Sequence, residues 1–349
     1  MTSTGILAAS YFLPSNRLTH EDLENRFGEP AMKKVLSGAG IRTRRVAAPD
    51  VCGSDLAFAA AERLLLHHGI PRESIDAVIF CTQTPDFLLP TTACILHERL
   101  QLKNRCAALD INLGCTQYVY ALSIAHGLIL SGTAKRVLVL TGDTMTRTLH
   151  PKDRSVVPLF GDGGSASLIG EVPEGQGFVG FELGTDGSGS QYLMIPAGGF
   201  RMPKSTESGT EMEDSEGNVR SKENLYMNGA AIFHFAITVV PEMLQNLLEH
   251  VHLGIEDVDL FLFHQANKYM LDYVFKKLKI PPEKTHFFVT EIGNTSGSSV
   301  PIVMVDAWLN EKVKPGATIC LISFGVGLSW AGTILRWPEN AMGPVPTLD

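Results

Sequence analysis

Residues 68–85 read HGIPRESIDAVIFCTQTP, and residues 253–268 read LGIEDVDLFLFHQANK. Each runs from a Gly-Ile turn to an acidic helix start, an Asp, a short apolar strand and a polar corner. The same offset, about half the chain, recurs twice more. DINLGCTQYVYAL (110–122) parallels TEIGNTSGSSVPIV (290–303), each a polar turn that opens a helix. RVLVLTGD (136–143) followed by SASLIG (165–170) parallels TICLISFG (318–325) followed by WAGTIL (330–335). Such a period is too long for a solenoid. It predicts two similar α/β halves packed together, over residues 1–172 and 173–349.

The local patterns agree. DAVIFCTQT (76–84), RVLVLTGDT (136–144), VDLFLFHQA (258–266) and TICLISFGV (318–326) are short, continuously apolar runs. Runs of that kind suit strands covered on both faces. GSDLAFAAAERLLLHHG (53–69), QYVYALSIAHGLILSG (117–132) and AITVVPEMLQNLLEHV (236–251) carry helical periodicity, and the first two stop at glycine.

Composition narrows the function. The 349 residues are 44% hydrophobic and carry a net charge of -8, with no long Lys or Arg run, so nucleic-acid binding is disfavoured. Six cysteines, Cys52, Cys81, Cys94, Cys106, Cys115 and Cys320, lack CxxC spacing. That favours reduced thiols in a cytoplasmic protein over a disulfide framework or a structural zinc site. The first eighteen residues do not read as a signal peptide. No apolar stretch is expected to reach the roughly 18–20 residues of a membrane span.

If a pseudo-twofold axis relates the halves, equivalent corners face one another. The first half contributes Cys115. The second contributes His264, Asn294 and the turn SFGVGLSW (323–330). A thiol at a strand-to-helix corner faces the positive end of a helix, which favours the thiolate, the nucleophilic form toward acyl carbons. An imidazole and a carboxamide can each donate to an oxyanion or enolate. Each alone has an ordinary reading: a packed thiol, a satisfied histidine, a helix-capping turn. FGDGGSAS (160–167) lacks the lysine and the spacing of a phosphate loop and reads as a tight turn lining a site.

Together, GIRTRRVAAPD (40–50), DINLGCTQYVYAL, GDGGSASL (161–168), HQAN (264–267), GNTSGSSVP (293–301) and SFGVGLSWAG (323–332) resemble, over nearly the full length, the β-ketoacyl-acyl-carrier-protein synthase III branch of the thiolase superfamily. The resemblance implies a five-layered αβαβα fold and a homodimer. It implies an enzyme that loads an acyl group from coenzyme A or acyl carrier protein onto Cys115 and condenses it with a malonyl thioester, with loss of CO2. The setting would be fatty-acid initiation or a specialised acyl or polyketide pathway. His264 and Asn294 would assist decarboxylation, and the backbone N–H groups of Cys115 and Val326 would form the oxyanion hole. Phe324 would line the site, and Leu89, in TQTPDFLLPTTA (82–93), would reach into the partner's acyl tunnel and leave it roomy. No metal or redox cofactor is implied.

Some positions depart from the family. Its coenzyme A-gripping Trp and Arg fall at Lys34 and Gly38, an Arg after HQAN is Tyr269, and a Lys is His234. Arg154, Lys268, Lys276 and Lys277 remain as candidate coenzyme A or carrier-protein contacts. Val326 replaces a glycine of the oxyanion turn, so its side chain must be accommodated. The polar stretch 198–229 is long and is expected to be a disordered or lid-like loop. Rival readings are a non-decarboxylating acyltransferase, a head-to-head acyl-condensing enzyme and, given the retained cysteine, less readily a silent partner subunit.

Overall fold

The computed structural model describes residues 3–346. Two sheets form its frame. The first contains β1 (Ser3–Phe12), β2 (Ala77–Cys81), β3 (Ala107–Ile111), β4 (Val137–Asp143) and β5 (Gly163–Val172), in the order β1-β5-β4-β2-β3. The second contains β6 (Gly177–Thr185), β7 (Leu260–Phe263), β8 (Thr318–Gly325) and β9 (Ser329–Arg336), in the order β7-β8-β9-β6. β2 pairs in parallel with both β3 and β4, as β7 does with β8, while the β4–β5 and β8–β9 pairs are antiparallel. The duplicated segments therefore occupy matching places. The sheets differ at one edge: where the first sheet has β3, the second has a parallel bridge between Phe261 and Thr285.

Helices fill three layers around the sheets. α1 (Gly53–His67) covers the outer face of the first sheet. α2 (Gln117–Leu130) and α5 (Ser299–Leu309) lie between the sheets. α3 (Gly229–His250) and α4 (Lys268–Leu278) cover the second sheet. This is the five-layered αβαβα arrangement. The middle helices are apolar on nearly every side because each meets a sheet on both faces. Their N-termini follow the Cys115 and Asn294 turns, so the buried middle layer holds both residues in place.

Two expectations need correction. α3 spans 22 residues and is apolar enough by length and composition to cross a membrane. It is a core helix instead: Ile232, Phe235, Ala236, Val240, Met243, Leu244, Leu247 and Leu248 are buried in the cluster over the second sheet. The segment 198–229 is not disordered. It forms two tight pairings, Met212–Glu213 with Val219–Arg220 and Leu193–Met194 with Tyr226–Met227. Arg220 bonds buried Asp153 at 2.7 Å and Asp214 at 2.6 Å, and His150 bonds Glu211 at 3.0 Å. Arg220 and Glu211 fix the segment to residues 150–153, and Lys204–Glu223 and Lys222–Glu207 pair within it.

Candidate active site

The strands carry their functional residues at one end of the two sheets. β3 ends at Ile111, and the chain turns through Gly114, Cys115 and Thr116 into α2, with Gln117 N donating to Gly114 O. Cys115 is buried there. Burial pushes its thiol up to about 12, against the opposing pull of Ser296 and of the backbone N–H groups of Cys115 and Val326, which point at the sulfur. The expected thiolate at a helix N-terminus is thus overridden in the resting enzyme, because desolvation of the anion outweighs the partial charge of the helix end.

β7 ends at Phe263, and His264 follows with its backbone N–H on Ile322 O at 2.7 Å. Its ring is buried, lies edge-on to Phe324 at 5.6 Å, and sits 2.6 Å from Ser299 Oγ through Nδ1. Burial lowers its basicity to about 3, so the imidazole is neutral. Asn294 is clamped by the glycine-rich turn of the first half: Gly161 N donates to Asn294 O at 2.9 Å and Asn294 N to Leu159 O at 2.8 Å. A Cβ on Gly161 would stand 2.2 Å from Ile292 O, which is why that turn is glycine. The Asn294 Oδ1 accepts from Ser296 N at 2.9 Å, leaving the amino group for the cavity.

Cys115, His264, Asn294, Phe324 and Gly325 line one cavity of about 270 Å³, continued by Phe160, Ile232, Phe233, Asn267 and Met270. A second cavity, of about 390 Å³, is lined by Met145, Thr148, Leu193, Leu225, Gln83 and Ser296. Only Cys115, Phe160 and Leu193 belong to both. Cys115 is thus common to both cavities. Two-step acyl chemistry needs that arrangement, with one space for the bound acyl chain and another for the carrier that delivers and collects it.

Residues 109–187 match the family described as 3-oxoacyl-[acyl-carrier-protein (ACP)] synthase III, and residues 248–337 match the C-terminal part of the same enzymes. The β-ketoacyl-[acyl-carrier-protein] synthase III of Caldanaerobacter subterraneus subsp. tengcongensis is 36% identical over 337 residues, 97% of this chain and 98% of that protein. The chain belongs to the β-ketoacyl-acyl-carrier-protein synthase III family. A crystal structure of a 3-oxoacyl-(acyl-carrier-protein) synthase III superposes with a TM-score of 0.93 at 42% identity, covering 96% of this chain and all of that one. The 3-oxoacyl-(acyl-carrier-protein) synthase of Burkholderia xenovorans LB400 gives 0.91 at 35% identity, covering 99% and 97%. The chain is accordingly an acyl-condensing enzyme of the synthase III type.

Gly114 makes the room that the Val326 side chain occupies. A Cβ at Gly114 would lie 1.8 Å from Val326 Cγ1. With no side chain on the residue before Cys115, the Val326 side chain fits and its N–H faces the sulfur.

The remaining candidates scatter. Leu89 is 86% exposed beside exposed Phe87 and Leu88, and it lines neither cavity of its own chain. Arg154 donates to Glu216 O, tied to the 212–220 turn rather than to a cavity. Lys268 pairs with Asp272 and lies over Phe287. Lys276 and Lys277 sit in the last turn of α4, about 15 Å from the cavity residue Asn267 at 1.5 Å per residue, and Lys277 bonds Ile237 O. The Lys34 side chain lies outside the described residues. At the mouth, Tyr269 stacks on Phe233 at 5.7 Å, and Tyr273 meets the same ring edge-on at 5.4 Å. The three rings form an aromatic rim beside Asn267 and Met270.

The sequence reading missed Gln83, Asp143 and Ser296. Ser296 Oγ donates to Gln83 Oε1 at 3.0 Å, and Gln83 N donates to buried Asp143 at 2.7 Å. Ser296 adopts a left-handed backbone, φ 51°, uncommon for a residue with a side chain. The polar corners CTQT and GNTS were the available signals.

Proposed function

We propose that Cys115 attacks an acyl thioester delivered through the channel lined by His264 and Asn294. The thioester C–S bond breaks, the carrier sulfur leaves with the proton that Cys115 gives up, and the acyl chain is held in the cavity lined by Met145 and Leu225. A malonyl thioester then enters the vacated channel. Its carbonyl oxygen lies between His264 and Asn294, CO2 leaves, and the enolate carbon attacks the acyl-cysteine carbonyl. The carbon–carbon bond forms, the Cys115 sulfur departs and takes up a proton, and a 3-oxoacyl thioester is released. The tetrahedral oxyanion is met by the N–H groups of Cys115 and Val326. Acyl transfer with electrostatic stabilisation of this kind needs no metal. The observation that carries the reading is one buried cysteine that lines two cavities.

The mouth favours a pantetheine arm borne by a carrier protein over free coenzyme A. Tyr269 and exposed His234 stand where the family has cations, and Arg154 is engaged by the 212–220 turn. The test compares acylation of Cys115 by one acyl group carried on coenzyme A, on pantetheine and on acyl carrier protein. Equal rates for the coenzyme A and pantetheine thioesters, with the carrier protein faster, support the reading; a coenzyme A thioester 100-fold better than its pantetheine counterpart defeats it.

The exposed tip Phe87–Leu89 and the exposed cavity edge at Met194 and Ile195 support a homodimer in which each tip closes the partner's acyl cavity. Phe87→Glu should shift the sedimentation coefficient to that of a monomer and slow acylation; an unchanged dimer would remove the tip from the interface.

A further inference from the structure

Ser299 is the first residue of α5 and is wholly buried. Its Oγ lies 2.6 Å from His264 Nδ1 and accepts the backbone N–H of Gln265 at 3.3 Å. It has no other hydrogen-bond partner among the described residues. A serine hydroxyl carries one hydrogen and two lone pairs. Suppose Nδ1 carried the ring proton. Oγ would then accept from both Nδ1 and Gln265, and its own hydrogen would have no acceptor in a site closed to solvent. An orphaned buried donor costs about 1–3 kcal/mol. With Nδ1 bare, the hydroxyl donates to it, and Gln265 donates to the hydroxyl. Every group is then satisfied.

We infer that Ser299 is a positioning residue which holds His264 as the Nε2–H tautomer, so that the ring offers the channel a hydrogen-bond donor and not a base. The same turn treats Asn294 in a matching way. Ser296 N–H holds Asn294 Oδ1, which turns the carboxamide's amino group, a donor, toward the cavity. Two serines three residues apart thereby set both side chains of the decarboxylation site to the polarity that a developing enolate oxygen needs. The arrangement also separates labour: a resting imidazole with Nε2 protonated cannot take the proton from Cys115. This deepens the proposed function and rests on it for the identity of the substrate, but the tautomer itself does not depend on turnover.

The test is long-range 1H–15N correlation spectroscopy of the full chain labelled with ring-15N histidine, the His264 signals being assigned by their loss in His264→Gln. The expected pattern is protonated Nε2 and bare Nδ1. A protonated Nδ1 overturns the inference. Ser299→Thr keeps the hydroxyl and should keep the tautomer. Ser299→Ala should lose the fixed Nε2–H pattern and slow CO2 release from a malonyl thioester by about 10²-fold, as for loss of one oriented donor, while the rate of Cys115 acylation stays unchanged. A Ser299→Ala enzyme that retains the Nε2–H tautomer would show that Ser299 does not set it. Absence of any acyl adduct on Cys115 would sink the proposed function without touching the tautomer result.

Discussion

Gly114 and Val326 approach each other beside the nucleophile, and adding a side chain at Gly114 should expose their dependence. In Gly114→Ala the new Cβ would stand 1.8 Å from Val326 Cγ1, well inside the 3.0 Å that real Cβ atoms essentially never breach, so the neighbours must separate. The Gln83 amide, 3.2 Å from the same point, blocks relief on that side. Overpacking of this kind costs about 1–3 kcal/mol. The cheaper motion is displacement of the 325–327 turn, which carries the Val326 N–H away from the sulfur. Losing one oxyanion donor costs about 10²–10³ in rate. Single-turnover acylation of Cys115, followed by intact mass, should therefore fall by that factor in Gly114→Ala, with a lower thermal midpoint. Gly114→Ala/Val326→Gly should recover most of both, because the deletion removes the atom that clashes. The two changes should couple by about 1–3 kcal/mol, as contacting residues do. A Gly114→Ala enzyme of wild-type rate, or a deficit that Val326→Gly leaves untouched, would refute the steric account.

Three further outcomes follow from the same geometry. Gly325→Ala places a Cβ 2.9 Å from the Cys115 Sγ, so acylation should be abolished while circular dichroism stays native. His264 is buried neutral with its basicity lowered to about 3, so between there and its ordinary 6.5 the folded chain binds fewer protons than the unfolded one, and its contribution to stability falls as pH drops below 6.5. Denaturant titrations at pH 6.5 and 5 should show wild type losing roughly 1.5 kcal/mol more than His264→Gln, somewhat under the limiting slope of about 1.36 kcal/mol per unit because the unfolded ring is only half protonated at pH 6.5; equal losses would mean that the ring is already protonated or solvated. Arg220→Ala strips the buried Asp153 carboxylate of the cation paired with it, a break that costs about 3–5 kcal/mol, and should free the 198–229 segment to rapid proteolysis; an unchanged digestion pattern would show that the segment is held by other contacts.

The fold was legible because duplicated strand-and-corner patterns survive in the residues themselves. Cys115, His264 and Asn294 were legible because each ends such a pattern. What escaped the sequence depends on pairs distant along the chain. Gly114 and Val326 are meaningful only once β3 and β8 bring their turns together. Arg154 was read as a coenzyme A or carrier-protein contact, yet its partner Glu216 lies in a loop whose course no periodicity records. The charge density of that loop suggested disorder because the pairs that fix it, Asp153 with Arg220 and Glu211 with His150, lie far apart in sequence. The helix N-terminus at Cys115 was correctly placed, but the state of the thiol is decided by how completely the two halves exclude water from it, and that is a property of the packed molecule. α3 matched a membrane span in length because one of its faces supplies the outer core and the other still carries apolar residues such as Ile237 and Val239.

The most direct measurement is the intact mass of the enzyme after exposure to a panel of acyl-carrier-protein and coenzyme A thioesters, followed by addition of malonyl-carrier protein. The account predicts one acyl adduct, mapped by peptide mass to Cys115, absent in Cys115→Ala and discharged on malonyl addition with release of CO2. An adduct that persists in Cys115→Ala, or one that forms on another of the six cysteines, would contradict it.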